Sequence, residues 1–305
     1  MPRPLVTIIT PTYNRADLLP ETIESVLRQD YDSIEYIVLD DGSTDNTGDV
    51  IKPYLGRLKY LYHDNMGETA TVNKGFEMAG GEIICVINSD DPFFADDAIS
   101  IAVDSLENNP DALMAYPDWV LIDEKGRELS RRALPQYTIE TMLIGRNVAI
   151  GPGMFIRKST IEKIGPRDPS IKYVGDLDYS FRMASVGKIL HIPRFLATHR
   201  VHTQSLSSSA KGPRMAREVL GLGVKYIDKL PLPAGKLDRN KNRILAKWYL
   251  TSIYYADIAS PRLALNHISE ALRLSPLAVL QMFLLFLLDK LKWPFSKIWK
   301  SIKRT

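Results

Sequence analysis

The chain has 305 residues, 45% of them hydrophobic and 25% charged, with a net charge of +3. That composition is typical of a globular protein with a core, and the small charge by itself argues neither for nor against a nucleic-acid partner. The single cysteine, Cys85, excludes an internal disulfide framework and a cysteine metal site, and its apolar surroundings mark it as a small buried hydrophobe.

In chain order, residues 5–10 form a short apolar run that ends in the polar Tyr13-Asn14-Arg15. The run is too short for a signal-peptide core and is expected to be a strand. Runs at 34–39, 58–63 and 83–87 have the same β-branched character. Between them lie segments with helical spacing. In the first, Leu19, Ile23, Val26 and Leu27 share a face, with Pro20 in the first turn, where its missing N–H costs nothing. The second spans 44–55. The third spans 69–79 and ends at Gly80-Gly81. This rhythm, with strands apolar throughout, predicts an α/β fold with a parallel sheet covered on both faces.

Further on, a helix is expected at 96–108, a long strand or bent pair at 112–122, and a turn at 123–126. The segment 131–148 has no clear pattern. A strand at 153–157, helices at 160–164 and 176–185, and closing strands at 189–192 and 196–201 follow. The serine run at 204–209 with Gly212-Pro213 reads as a linker. Two domains are therefore expected, 1–210 and a helical extension 211–305.

The extension begins with a helical hairpin of the tetratricopeptide sort at 239–258 and 261–274. One hairpin is not a repeat array, which needs about three units. The apolar stretch 276–291 is interrupted by Gln281 and Asp289 and falls short of the roughly 20 residues of a spanning helix. A cytoplasmic protein is expected, with at most a peripheral membrane contact. The basic tail, with Lys290, Lys292, Lys297, Lys300, Lys303, Arg304, Trp293 and Trp299, has two readings. It is a membrane-surface anchor on anionic head groups, or it packs on neighbouring helices with its lysines solvated.

Three loops carry chemistry, because each follows a predicted parallel strand and ligands bind beyond the carboxyl ends of such strands. They are Thr10-Pro11-Thr12-Tyr13-Asn14, Asp40-Asp41-Gly42-Ser43 and Asn88-Ser89-Asp90-Asp91. Either acidic pair alone is also a good turn or helix cap. Two pairs aimed at one region repel each other, and a divalent cation with hard oxygen ligands is the natural partner. Such an ion commonly binds substrate phosphates too, which suits a nucleotide diphosphate. The chain has no Walker A sequence, and no GxGxxG follows the first strand, so a kinase-like NTPase and a dinucleotide oxidoreductase are disfavoured.

These residues resemble the family 2 glycosyltransferases of the GT-A fold. The resemblance is carried by Val6 to Arg15, Asp40 to Asp45, Asn65 with Gly67, Asn73 with Gly75, Gly81 to Ile84, and Asn88 to Asp91. It continues through Phe155 to Gly165, Gly175 to Arg182, and Arg200-Val201-His202, covering about residues 4–207.

It implies a GT-A (nucleotide-diphospho-sugar transferase) fold, a mostly parallel sheet with helices on both faces, plus the C-terminal helical extension. It also implies Mg²⁺ or Mn²⁺ as cofactor. By the same resemblance Pro11, Tyr13 and Asn14 line the nucleoside pocket. Asp40 accepts the base N3–H, implying a uracil or thymine nucleotide. Asp90 lies near the ribose and Asp91 binds the metal that bridges the diphosphate. His202 contacts the metal or diphosphate, with His199 close enough to compete. Asp176 is the general base for the acceptor hydroxyl. Its alternative is an N-cap, while Asp178 reads as the i,i+4 partner of Arg182. Residues 68–72 lack the small and basic residues expected of that loop, leaving Lys74 as a substitute phosphate contact. The Gln-x-x-Arg-Trp signature and spanning helices of processive members are missing, implying a non-processive enzyme.

The function expected is inverting transfer from a nucleotide-diphosphate sugar, a UDP-sugar first, to a glycan or lipid-linked acceptor in cell-surface polysaccharide or lipopolysaccharide synthesis, with no nucleic acid. The competing readings are a nucleotidyltransferase of similar sheet and a non-catalytic binding module. Specificity is expected in residues 131–174.

Overall fold

The computed structural model describes residues 3–145, 150–202, 212–230, 237–256 and 260–284. The expected linker around 204–209 and the basic, tryptophan-containing tail lie outside the described residues. The chain partitions into two compact units, residues 1–142 with 147–209, and residues 143–146 with 210–305.

The first unit is built on an eight-stranded sheet. Strands β1 (Val6–Thr12), β2 (Ile34–Asp40), β3 (Lys59–Tyr62) and β4 (Ile83–Val86) are parallel, in the order β3-β2-β1-β4. Every residue of β1 is buried, as a central strand covered on both faces requires. β3 is the edge strand, and its exposed Lys59 and Tyr62 suit that position.

Beyond β4 the sheet departs from the parallel pattern. β7 (Met154–Arg157) runs antiparallel to both β4 and the long β5 (Ala112–Ile122). β8 (Lys188–Arg200) lies parallel along the whole of β5. The other edge of β5 is therefore shared by β7 at Met114–Ala115 and by β6 (Glu128–Arg132) at Trp119–Ile122. The sheet is mixed, because the chain returns by β7 and β6 rather than through crossover helices. The two closing strands expected at 189–192 and 196–201 are one. Pro117 pairs with Ile192 and Asp118 with Phe195, so Pro193 and Arg194 are bulged out. A proline cannot donate to the ladder, and the bulge accommodates it.

Helices α1 (Leu19–Leu27) and α4 (Ala98–Glu107) present buried apolar stripes to one core with β1, β2 and β4. Each Leu, Ile or Val so buried contributes about 1.5–3 kcal/mol. The helix expected over 44–55 is broken into α2 (Thr47–Val50) and a single 3₁₀ turn, Lys52–Tyr54. Pro53 has no N–H and cannot continue an α-helical ladder. Helix α3 (Glu68–Met78) lies against β1 and β2 through Gly75, where a Cβ would fall 2.7 Å from Ile9 Cγ2. The unpatterned segment 131–148 contains α5 (Ile139–Ile144). Helices α6 (Lys158–Ile164) and α7 (Gly175–Val186) complete the unit. Cys85 is fully buried.

The second unit contains α8 (Pro213–Tyr226), α9 (Leu237–Tyr255) and α10 (Pro261–Leu274), followed by a helical segment at 276–284. Small residues bring the last three together, with Ala246, Ala271 and Ala278 fully buried in one cluster. Among the described residues no helix is long and apolar enough to cross a membrane.

Candidate active site

The three loops singled out in the sequence meet at the carboxyl ends of β1, β2 and β4. Thr12 pairs with Asp40 and Asp40 with Tyr62, so these strand ends stand level. The loops are tied to one another. Asn14, the one non-glycine residue with positive φ among the described residues (51°), donates its N–H to Ser43 Oγ at 2.9 Å. Its Oδ1 accepts the Thr44 N–H at 2.8 Å. Asparagine tolerates this left-handed backbone better than most residues, which suits the turn. Tyr13 is 46% exposed above it, and Pro11 is buried within β1.

Asp40 and Asp41 are internal. Asp40, 1% exposed, accepts the Ser43 N–H at 2.8 Å and the Tyr60 hydroxyl at 2.6 Å. Burial beside Asp40 pushes the Tyr60 phenol well up. Asp41 accepts the N–H groups of Met66 and Gly67 at 2.7 and 3.0 Å and so fixes the entry to α3. The sequence expectation put Asp40 on the base. In the structure its two oxygens accept from a backbone amide and from the half-buried Tyr60 phenol, which brace the loop from beneath.

The other acidic pair divides its work. Asp91 is 3% exposed; its Oδ1 accepts the Arg200 N–H at 2.8 Å and its Oδ2 the Asn88 side chain at 3.2 Å. Asp90 is more open. Its Oδ2 stands 2.8 Å from His202 Nε2, while its Oδ1 takes no hydrogen bond among the described residues. Burial and then the adjacent Asp91 charge raise the Asp90 carboxyl, with His202 opposing them. His199 Nδ1 lies 3.6 Å from Asp91 Oδ1. Burial pushes its imidazole down, but Asp91, Asp90 and Asp176 outweigh that and raise it. An imidazole thus stands beside each carboxylate, His202 at 2.8 Å from Asp90 and His199 at 3.6 Å from Asp91, the residue to which the sequence reading gives the metal.

Arg200 had no predicted role of its own and is the hub of this end. Its side chain is fully buried. It donates to the carbonyls of Asp90 (3.0 Å), Asp123 (3.1 Å) and Glu124 (3.2 Å), and to Glu21 Oε2 at 2.6 Å. One side chain therefore locks the Asp90–Asp91 loop to α1 and to the β5–β6 turn. Its neighbour in the resemblance, His202, gave the only hint of it in the sequence.

Asp176 lies in the first turn of α7, exposed, and among the described residues its carboxylate is bonded to nothing beyond the adjacent Leu177 N–H. It does not cap the helix; that position belongs to Val174. Asp178 is fully buried and pairs with Arg182 at 3.1 Å, the i,i+4 reading. Lys74 is half-buried on α3 and, among the described residues, makes no ion pair with the site carboxylates. Glu68, unremarked as a candidate, begins α3. Burial raises its carboxyl; Arg167 opposes, and Asp176, Asp90 and Asp91 add to the rise, so all four carboxylates share one field.

Five buried side-chain atoms among the described residues have no hydrogen-bond partner: Thr12 Oγ1, His63 Nε2, Thr71 Oγ1, Trp119 Nε1 and Arg167 Nε. Thr12 and His63 follow or end strands at this edge, and Thr71 and Arg167 flank Glu68. Unsatisfied buried groups are uncommon in folded proteins, and four of these five belong to segments that form this end of the unit.

Among the described residues no three His, Cys, Asp or Glu side chains are grouped to hold a metal unaided. Asp90 and His202 still fit a divalent cation that takes its other ligands from phosphate and water, as Mg²⁺ commonly does. Their 2.8 Å separation is close to the roughly 3 Å between adjacent ligands of an octahedral ion with bonds of about 2.1 Å.

The sequence pattern of the family described as Glycosyl transferase family 2 matches residues 7–165. An uncharacterized glycosyltransferase of Rickettsia typhi is 30% identical over 236 residues, 74% of this chain and 73% of that protein. Among solved structures, S. aureus TarS 1-349 in complex with UDP-GlcNAc superposes with a TM-score of 0.66 at 16% identity, covering 88% of this chain and 81% of that one. The mannosyltransferase PcManGT from Pyrobaculum calidifontis, in complex with GDP-Man and Mn²⁺, superposes at 0.60 with 18% identity, covering 96% and 88%. The fold is that of the GT-A glycosyltransferases.

Proposed function

Because the chain belongs to glycosyl transferase family 2, we propose that it moves one sugar per encounter, with inversion, from a UDP-sugar to an acceptor hydroxyl. The observation that carries this reading is the arrangement of carboxylates from separate segments. Asp90 with His202 suits the diphosphate end of a donor, and Asp176, on a different helix, is exposed to an incoming acceptor.

Asp90 and His202 hold the cation in this reading, in place of the Asp91 assigned from sequence. Asp91 instead holds the Arg200 backbone, which sets the angle of the Asp90 loop. A bound divalent cation neutralises charge on the departing diphosphate. Asp176 accepts the acceptor hydroxyl's proton as that oxygen bonds to the anomeric carbon and the bond to the diphosphate oxygen breaks. A base so placed typically contributes roughly 10²–10⁴ in rate. Tyr13 and the Asn14 turn form the nucleoside face, over a floor braced by Asp40. The uridine preference rests on the loop resemblance and on the likeness to TarS, which is solved with UDP-GlcNAc. Lys74 remains a candidate phosphate contact through movement of its side chain.

Peripheral membrane contact through the C-terminal region belongs to the same reading. Leu277, Leu280, Phe283 and Leu284 are all about half exposed or more, an apolar stretch that continues toward the basic tail in the sequence. A lipid-linked acceptor, as in cell-surface polysaccharide or lipopolysaccharide synthesis, fits such a contact.

The test is proton NMR of donor turnover. Incubated with UDP-GlcNAc and Mn²⁺ and no acceptor, the protein slowly transfers the sugar to water. The first sugar released is the β-anomer from an α-linked donor. Release of the α-anomer first overturns inversion.

A further inference from the structure

Arg167 and Glu68 lie beside each other at the start of α3, and the transfer just described uses neither. Arg167 lies between α6 and α7 with its side chain 4% exposed. Among the described residues its Nε has no hydrogen-bond partner, and its NH1 stands 3.7 Å from Glu68 Oε1. Burying a guanidinium without satisfying its donors is costly, so a fold that keeps one there uses the charge. The position is not slack. The Arg167 N–H donates to Asn73 Oδ1 at 2.8 Å, and its carbonyl accepts from Asn73 Nδ2 at 2.9 Å, tying the loop to α3.

Glu68 differs from its partner in keeping 41% of its side chain exposed. Its backbone is fixed on one side by the Asp41 clamp on Met66 and Gly67. On the other side, Thr69 Oγ1 donates to the Ile171 carbonyl at 3.4 Å and would lie 3.3 Å from a Cβ added at Gly175. Gly175 precedes Asp176, so the start of α3 abuts the turn that carries the proposed base. The transferred sugar has to lie between that base and the Asp90–His202 pair, within reach of this edge.

An ionised carboxylate accepts hydrogen bonds and offers none. It repels phosphate and carboxylate, and suits hydroxyls. We propose that Glu68 reads the transferred sugar by accepting hydrogen bonds from its hydroxyl groups, with Arg167 the positioning residue whose guanidinium holds it in place. The proposal rests on the glycosyl-transfer reading above. It implies a neutral, hydroxyl-bearing sugar and discrimination against a uronate donor.

The test is calorimetric binding of UDP, UDP-GlcNAc, UDP-glucose and UDP-glucuronate, each with Mn²⁺, to the wild type, E68Q, E68A and R167M. UDP alone should bind all four proteins alike. The tighter binding conferred by the correct sugar should fall by about 10- to 100-fold in E68A, the scale of a lost charged hydrogen bond. Rejection of UDP-glucuronate should relax in E68Q. R167M should show the same loss near neutral pH and recover part of it at higher pH, where Glu68 ionises without its counterion. A purely structural ion pair predicts no such recovery. If R167M does not fold, E68A carries the test alone, because its side chain is half exposed. Sugar-dependent affinities untouched in E68A and E68Q overturn this proposal only. Failure of the wild type to bind any nucleotide overturns the transfer reading, and this one with it.

Discussion

His202 Nε2 and Asp90 Oδ2 meet at 2.8 Å across 112 residues of chain. The meeting depends on β8 running the full length of β5 and ending beside the loop after β4. Arg200 secures that ending from both sides: its backbone N–H is held by Asp91, and its guanidinium is held by three carbonyls and Glu21. The pair proposed to hold the cation thus rests on a buried arginine that contacts no ligand in the proposed mechanism.

Replacing Arg200 with Met tests that support. Removing one member of a buried charged network typically costs 3–5 kcal/mol, and the exposed half of Glu21 keeps this case at the lower end, about 3 kcal/mol. Urea unfolding should show a lower midpoint with an unchanged slope. An unchanged midpoint would mean that Arg200 does not brace the loop.

Asp176→Asn separates chemistry from binding. Its carboxylate is exposed and, among the described residues, has no partner beyond the adjacent Leu177 N–H, so stability should hold within about 0.5 kcal/mol. The transfer rate should fall by roughly 10²–10⁴ while donor affinity stays constant. Equal losses in rate and donor affinity would place Asp176 in donor binding instead.

Much of this arrangement was legible in the sequence. Runs such as 34–39 and 83–87 read as strands because a sheet covered on both faces makes them apolar throughout, and the acidic loops followed from their ends. What escaped notice was set by distant partners. Nothing local distinguishes Asp90 from Asp91; only the arrival of β8 turns one toward His202 and the other toward the Arg200 amide. Asp40 takes its second partner from Tyr60, twenty residues on, which no local pattern announces. Arg167 drew no reading from the sequence, since burial of a charge by tertiary contacts leaves no periodic trace. The bulge at Pro193 likewise read as a strand break, because the pairing that spans it comes from β5.

The edge between β1, β2 and α3 carries a pH-dependent contribution through Glu35. Burial pushes this carboxyl up, but Lys59, the Gly80 N–H and the Thr7 hydroxyl together outweigh it and leave it below its ordinary value. A carboxyl lowered by folding stabilises above its unfolded pKa, about 4.3, and that stability is lost as pH falls through the lower folded value. Thermal unfolding of the wild type should therefore steepen its decline below about pH 4.3. E35Q should start less stable at neutral pH and lose less over the same acidic range. Parallel curves for the two proteins would remove Glu35 from the acid response.

The most direct test of the account is a calorimetric titration of UDP-GlcNAc and UDP-glucose into the wild type, D90N and D91N, each with Mn²⁺ and with EDTA. The account predicts that at least one UDP-sugar binds the wild type more than about tenfold tighter with Mn²⁺, the scale on which support of a metal site is felt. D90N should abolish that difference, and D91N should mainly lower stability. Equal affinity with and without metal, or a metal effect lost in D91N and kept in D90N, would contradict it.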